Sequence, residues 1–424
     1  MAQIVAARYL QCADGAARAG GALLCEGGRI SAVGDLAQLR RAHPAAAVHD
    51  YPEALLVPLL VNAHTHLELT DFPHWADQAG QSAAPESFVD WILRLIAVKK
   101  NREPDDYLKA LKNGIEQCLA AGTGAVGDIL AHYDARSGYL GTPLGGRLFL
   151  ETLGQDPAMI RRLKKRLNEV LDQSFDAPVS LGVSPHSPYT ISNSYLRYIY
   201  QLCKKRRLRC TTHVAESADE VTFTDDSRGA LAERFYPAIG WEGFLPLPAG
   251  VRPVAYLEQQ GGLFPENLLV HGVHLDGSDI DLLARKGMSL ALCPRSNANL
   301  KVGKAPVAEL RKAGVRLVLG TDSRASAGSL SLWDEMAFAR TWFAGALDPP
   351  TLLHMATLGG AEALGIADQY GSLEPGKRAA FQLLRAPEDL GIGEIPDYLS
   401  AGITQSDIIQ VYCDGQPRRS GVKG

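Results

Sequence analysis

Eight short apolar runs mark the chain at residues 55–64, 125–129, 147–151, 179–183, 209–213, 268–271, 289–292 and 316–319. Longer stretches with helical character separate them. Apolar runs of this length read as strands buried on both faces, and strands alternating with helices build a parallel sheet. Eight such units over roughly 310 residues fit one closed barrel. The expected fold class is therefore α/β, a (β/α)8 TIM barrel over residues 57–368.

The flanks follow a different rule. Residues 1–56 and 369–424 alternate short β-like runs with glycine turns, as in the hairpin at 22–30 and the strand at 408–414 after the turn at 371–377. These two segments are expected to meet as one small β-sandwich built from both termini. Inside the barrel, residues 225–263 form a long connection rich in Trp, Phe, Pro and Gly. Long ordered connections on the C-terminal face of a barrel often serve as lids. Trp241 and Phe244 are candidates to cover a ligand, against ordinary packing of the insertion.

Composition narrows the partner. Hydrophobic residues make up 46 % of the chain and the net charge is −4, with both signs interspersed. That balance argues against nucleic acid and anionic membrane and leaves a small molecule as the expected partner. The basic run Lys204-Lys205-Arg206-Arg207 reads as the solvated end of a helix. Seven cysteines, scattered and without C-x-x-C spacing, fit reduced thiols rather than a disulfide framework or zinc ribbon. No leader-like opening and no apolar stretch of spanning length is present, so a cytoplasmic location is expected. A monomer and a homodimer both remain open.

The chemistry sits where the runs end. His64 and His66 close the first run at spacing i, i+2, which places both imidazoles on one side of a strand. Alone, such a pair is more often structural than metal-binding. His186 follows the fourth run, His213 and Glu216 the fifth, His271 the sixth and Asp322 the eighth. In a barrel all these ends open on one face, where active sites are built. His64, His66, His213 and Asp322 are good Zn²⁺ ligand types, and a fifth histidine with a free carboxylate completes a hydrolytic set. A satisfied core histidine explains any one of these positions, but not their joint placement.

In this order the sequence resembles the amidohydrolase superfamily over essentially its whole length. The H-x-A-E form at His213 to Glu216, the Pro185-His186-Ser187-Pro188-Tyr189-Thr190 loop, Cys293 to Leu300 and Gly320 to Ser323 resemble its aminohydrolase branch. The resemblance implies one metal ion. Its binuclear branches need a carboxylated lysine or a glutamate at the fourth strand end, which here reads Leu181-Gly182-Val183-Ser184-Pro185-His186. It implies Zn²⁺ held by His64, His66, His213 and Asp322, with Fe²⁺ compatible with the same donors. Glu216 would protonate the ring and carry a proton to departing ammonia, His271 would orient the attacking oxygen, and Asp322 would take up a proton.

Weaker candidates for substrate contact are His186, Glu151 at the third strand end, Arg295, and Asp90, where relatives place a carboxylate near a ribose. Asn297 and Ser323 are expected to shape the pocket, and His132, His274 and His354 to be structural. The segment from Gly320 to Glu335, together with Ser87 to Ile96, most resembles aminodeoxyfutalosine deaminases of menaquinone biosynthesis, which convert an adenine nucleoside to its hypoxanthine form. Deaminases of S-adenosylhomocysteine, methylthioadenosine or adenosine use the same residues and compete with that reading. So does a ring-opening amidohydrolase acting on a cyclic amide, against which Glu216 weighs only moderately. A non-catalytic barrel scaffold predicts eroded strand-end histidines, whereas the set here is intact.

Overall fold

The computed structural model describes residues 2–11 and 17–418, so Cys12 lies outside the described residues. Eight parallel strands form the barrel: β1 (Leu60–Thr65), β2 (Thr123–Leu130), β3 (Gly145–Thr152), β4 (Val179–Pro185), β5 (Cys210–Val214), β6 (Asn267–His271), β7 (Ser289–Leu292) and β8 (Arg316–Leu319). Each pairs with its sequence neighbour, and a bridge between Thr65 and Asp322 joins β1 to the end of β8. That junction carries the amide of Asp322 to the carbonyl of His64 at 3.1 Å. Closure thus depends on two of the residues that bear the chemistry.

The barrel has two cores. Val61, Ala63, Ala125, Phe149, Val270, Ala291 and Val318 fill its interior together with Ala361, Leu364, Ile366 and Tyr370. Alternate strand residues, among them Leu150, Val183, Leu269, Leu290 and Leu319, pack outward against the helices. This two-sided burial is why the strands read as continuous apolar runs.

The run at 55–64, expected as one strand, is divided. Ala47–Pro58 belongs to the terminal sheet and only Leu60–Thr65 to the barrel. Pro58 has no amide hydrogen to give to a ladder, and beyond it Leu59 and Leu60 donate to different partners, Ala380 and Gly122. One apolar run therefore serves two sheets.

The termini do meet, as one hydrogen-bonded sheet of eight strands. Ala47–Pro58 lies between the N-terminal strand Gln3–Leu10 and the C-terminal strand Phe381–Arg385. A bridge between Arg29 and Arg378 brings distant parts of the sheet together. The sheet curls around Val5, Leu23, Leu56, Phe381 and Tyr412. Leu384, Leu390, Ile395 and Leu399 pack instead with the outer core of the barrel, so this unit is welded to it. The basic run ends the helix Asn193–Arg206 in solvent, and among the described residues no helix is long and apolar enough to cross a membrane.

Candidate active site

Three imidazoles form the floor of the barrel mouth. Ligand nitrogens of His64, His66 and His213 lie within 4.8 Å of one another. His64 and His66, two residues apart at the end of β1, have ring centroids 5.0 Å apart, and the His64 and His213 centroids are 4.9 Å apart. Asp322 Oδ1 lies 3.6 Å from His64 Nε2 and 3.5 Å from His66 Nε2. Its Oδ2 accepts from Ser296 Oγ at 2.6 Å and Ser326 Oγ at 2.8 Å, which fixes the carboxylate plane. His213 Nδ1 donates to the carbonyl of His186 at 2.8 Å, leaving Nε2 as the free lone pair.

The donor set fits a single divalent cation. His64 Nε2 is buried without any hydrogen-bond partner, a costly state unless something else engages it. Burial, the largest cause, holds the His66 imidazole down at about 3, and His213 falls well below its ordinary value for the same reason. For Asp322, burial pulls upward, but the imidazoles of His64 and His66 beside it outweigh burial and keep the carboxyl well below its usual range. Neutral imidazoles beside an ionised carboxylate are what a cation of this type requires.

Backbone bends aim the remaining groups. Ala215, His271 and Asp322 adopt left-handed conformations, with φ of 51°, 73° and 57°. Such positions cost energy in non-glycine residues and persist only where the surroundings impose them. By strict alternation His271 would share the face of Leu269, which packs outward; the bend turns its ring into the mouth. Its Nδ1 is 3.0 Å from Asn297 Oδ1, which sets Nε2 toward Glu216 Oε1 at 3.6 Å. Glu220 holds the other bend, accepting from the amides of Ala215 at 2.9 Å and Glu216 at 3.0 Å. Burial first, and the Asp322 charge second, push the Glu216 carboxyl well up, while burial holds His271 down at about 4. Both shifts favour the uncharged forms of the two groups.

Above the floor lies a cavity of about 550 Å³, a size suited to a small molecule. Its wall includes Trp91, Ile92, Leu95 and Ile96 from the helix Phe88–Lys99, with Phe235, Ile239 and Trp241 from the long connection. His186 and Glu151 also line it. His186 is anchored through Nδ1 to Ser187 Oγ at 2.9 Å and Thr190 Oγ1 at 3.0 Å.

Two expected substrate contacts lie elsewhere. Asp90 is not in the cavity wall: it accepts from Ser87 Oγ at 2.6 Å at the start of its helix and pairs with Arg234 at 2.5 Å. Arg295 also stands outside, its guanidinium 3.8 Å from Asp334 and its amide donating to Glu335. Trp241 faces the cavity, whereas Phe244 is solvent-exposed. His132, expected to be structural, does line the cavity; its ring lies 3.4 Å from that of Tyr107 and its Nδ1 3.2 Å from Glu68. His274 is tied to the Val302 carbonyl.

Sequence reasoning missed Glu68, Lys99, Glu220, Ser296 and Ser326. Two carried a faint signal: Glu68 lies two residues past His66 and Glu220 four past Glu216. The others are brought in by tertiary packing.

A closed parallel barrel with a cation-binding donor set at its C-terminal mouth defines a metal-dependent hydrolase. The chain belongs to the amidohydrolase family, whose model matches residues 55–419, and it is an enzyme of the deaminase type. A short second match, residues 21–46, is to an imidazolonepropionase-like composite domain of bacteria. The chain is 31 % identical over 382 residues to a 5-methylthioadenosine/S-adenosylhomocysteine deaminase of Haloarcula marismortui, covering 87 % of this chain and 82 % of that one. It is 31 % identical over 364 residues to an aminodeoxyfutalosine deaminase of Deinococcus radiodurans, covering 83 % of each. Among solved structures, an adenosine deaminase of Xanthomonas campestris with bound zinc matches with TM-score 0.81 and 25 % identity over 98 % of this chain and 92 % of that one. Helicobacter pylori aminofutalosine deaminase matches the fold with TM-score 0.83 at 21 % identity, covering 99 % of this chain and 100 % of that one.

Proposed function

We propose that the protein hydrolytically deaminates the adenine of 6-amino-6-deoxyfutalosine, giving futalosine and ammonia. The observation that carries the reading is the pair Glu216 and His271, 3.6 Å apart beside the donor set of His64, His66, His213 and Asp322. A Zn²⁺ ion held by those four residues would supply an activated water, since such an ion lowers the pKa of water from 15.7 to about 7. Glu216, kept protonated by burial, donates its proton to the ring nitrogen as the water oxygen bonds to the amine-bearing carbon. His271 presents Nε2 to the adding oxygen, its tautomer set by Asn297. The ionised Glu216 takes up one of the protons lost by the water and passes it to the exocyclic nitrogen, the C–N bond breaks and ammonia leaves. The second water proton, released as the hydroxyl becomes the carbonyl, restores the acid. The apolar wall of Trp91, Ile92, Leu95 and Ile96 suits a nucleoside with a large apolar 5′ substituent.

A second reading, deamination of methylthioadenosine or S-adenosylhomocysteine, is favoured by the relative of equal identity that bears that name. One panel separates them. Zinc-loaded enzyme is incubated with aminodeoxyfutalosine, methylthioadenosine, S-adenosylhomocysteine and adenosine, following ammonia and the adenine-to-hypoxanthine absorbance change. The first reading expects the highest kcat/KM on aminodeoxyfutalosine. Fast turnover of S-adenosylhomocysteine with none of aminodeoxyfutalosine overturns it.

A further inference from the structure

The floor of the site accounts for the purine end of a nucleoside, but not for its sugar. The cavity extends from Glu216 and His271 across the mouth toward Glu68, His132 and Glu151 at the β1 to β3 ends, under the helix Phe88–Lys99. Polar groups in that sector are few. Glu68 is already engaged, accepting from the amides of Ala131 and His132 at 3.3 and 3.0 Å and facing the His132 ring. Asp90, the carboxylate expected near a ribose, points away and pairs with Arg234.

Of the groups in this wall that keep bonding capacity, which include the buried Trp91 Nε1 and the exposed Lys100, two oppose each other in charge. Among the described residues, no protein donor reaches the Glu151 carboxylate, whose Oε1 is buried and unpartnered. A buried polar atom in this state calls for an external partner. Lys99, the last residue of its helix, also lines the cavity, its Nζ 5.8 Å from the Tyr107 ring and without an ion pair among the described residues. Its charge is felt at Glu151, yet the two do not form a direct pair.

The chemistry of this gap selects its occupant. An ionised carboxylate only accepts hydrogen bonds and an ammonium only donates them. A ligand group bearing only a carboxylate would be repelled by Glu151, and one bearing only an ammonium by Lys99. A neutral group that donates to one and accepts from the other satisfies both, and a vicinal diol does so twice. We infer that Glu151 and Lys99 form the subsite that receives the sugar hydroxyls of the nucleoside, with Glu151 as acceptor and Lys99 as donor. This rests on the deaminase reading above and replaces Asp90 as the sugar contact.

The test compares adenosine with 2′-deoxyadenosine and 3′-deoxyadenosine on zinc-loaded wild type, Glu151→Gln and Lys99→Met. The readout is kcat/KM or, where adenosine only inhibits, its Ki against whichever panel nucleoside is turned over. Wild type should prefer adenosine over at least one deoxy form by about 100-fold, the effect of a hydrogen bond to a charged group. Glu151→Gln should compress that preference to about 3-fold with unchanged zinc content, and Lys99→Met should reduce it to about 10-fold. A wild type that ignores the hydroxyls, or a Glu151→Gln enzyme that keeps the full preference, overturns the inference while the deaminase reading stands. No ammonia from any nucleoside with zinc-loaded wild type overturns both.

Discussion

The two mouths of the barrel are built from the same strands and do opposite work. At the C-terminal mouth the polar groups are left open: His64 Nε2 and Glu151 Oε1 are buried without partners, and three bends at Ala215, His271 and Asp322 hold non-glycine residues in left-handed backbone. At the N-terminal mouth two arginines are committed to closure, although Tyr370 OH and Thr123 Oγ1 stay unpartnered there. Arg147 donates to the carbonyls of Leu364 at 3.1 Å and Gly365 at 3.4 Å, and Arg209 reaches that of Ala363 at 3.4 Å. These carbonyls end the helix Leu358–Leu364, whose Ala361 and Leu364 plug the barrel interior. Cations at a helix C-terminus satisfy its orphan carbonyls and its dipole. One mouth keeps a converging donor set and strained backbone for a ligand, and the other directs its arginines to a helix end that closes the barrel.

Removing donors at the open mouth has the largest expected effect. His213→Ala should lose bound zinc and at least about 1,000-fold in kcat/KM, checked by metal analysis and ammonia release. Chelation of the wild type should reproduce the loss, and added Zn²⁺ should restore it. Glu216→Gln separates chemistry from metal binding: zinc content stays, while kcat falls by about 1,000-fold. A Glu216→Gln enzyme with near-wild-type kcat would break the assignment of the acid.

At the closed mouth the expectation inverts. Arg209→Met or Arg147→Met should cost about 1–2 kcal/mol of stability in denaturant unfolding, with kcat unchanged. Equal damage to kcat would show that the two mouths are not separable.

The smallest effect concerns Glu151, whose carboxyl is pushed up to about 7, chiefly by burial. Since the folded value lies above the unfolded one, the neutral acid favours the fold below about pH 4.5, and that advantage is lost as pH rises through 7. Glu151→Gln should therefore raise Tm at pH 8 and leave it unchanged at pH 4. A shift of equal size at both pH values would point to packing rather than ionisation.

Much of the barrel and its floor was legible because each element obeys a local rule. The last two barrel strands occupy the residues read from the apolar runs, and the other runs differ from their strands mainly at the ends. His64 and His66 face one side because strand alternation puts them there, and the other donors, His213 and Asp322, stand at the ends of the fifth and eighth runs. The division of 55–64 at Pro58 was hidden, since a run buried on both faces looks the same in either sheet. The walls were hidden for another reason. Asp90 and Glu151 are both acidic residues near the mouth in sequence, and only the packing of the helix Phe88–Lys99 turns one outward to Arg234 and leaves the other inside with Lys99.

The sequence by itself determined the barrel, the order of its strand ends and the convergence of four histidines and Asp322, because period and spacing are local properties of the chain. The tertiary structure decided which carboxylates stay free. That depends on whether a distant side chain happens to neutralise them, as Arg234 does for Asp90 and as no protein group does for Glu151 among the described residues. Partnership across 144 residues of chain has no signature in either segment alone.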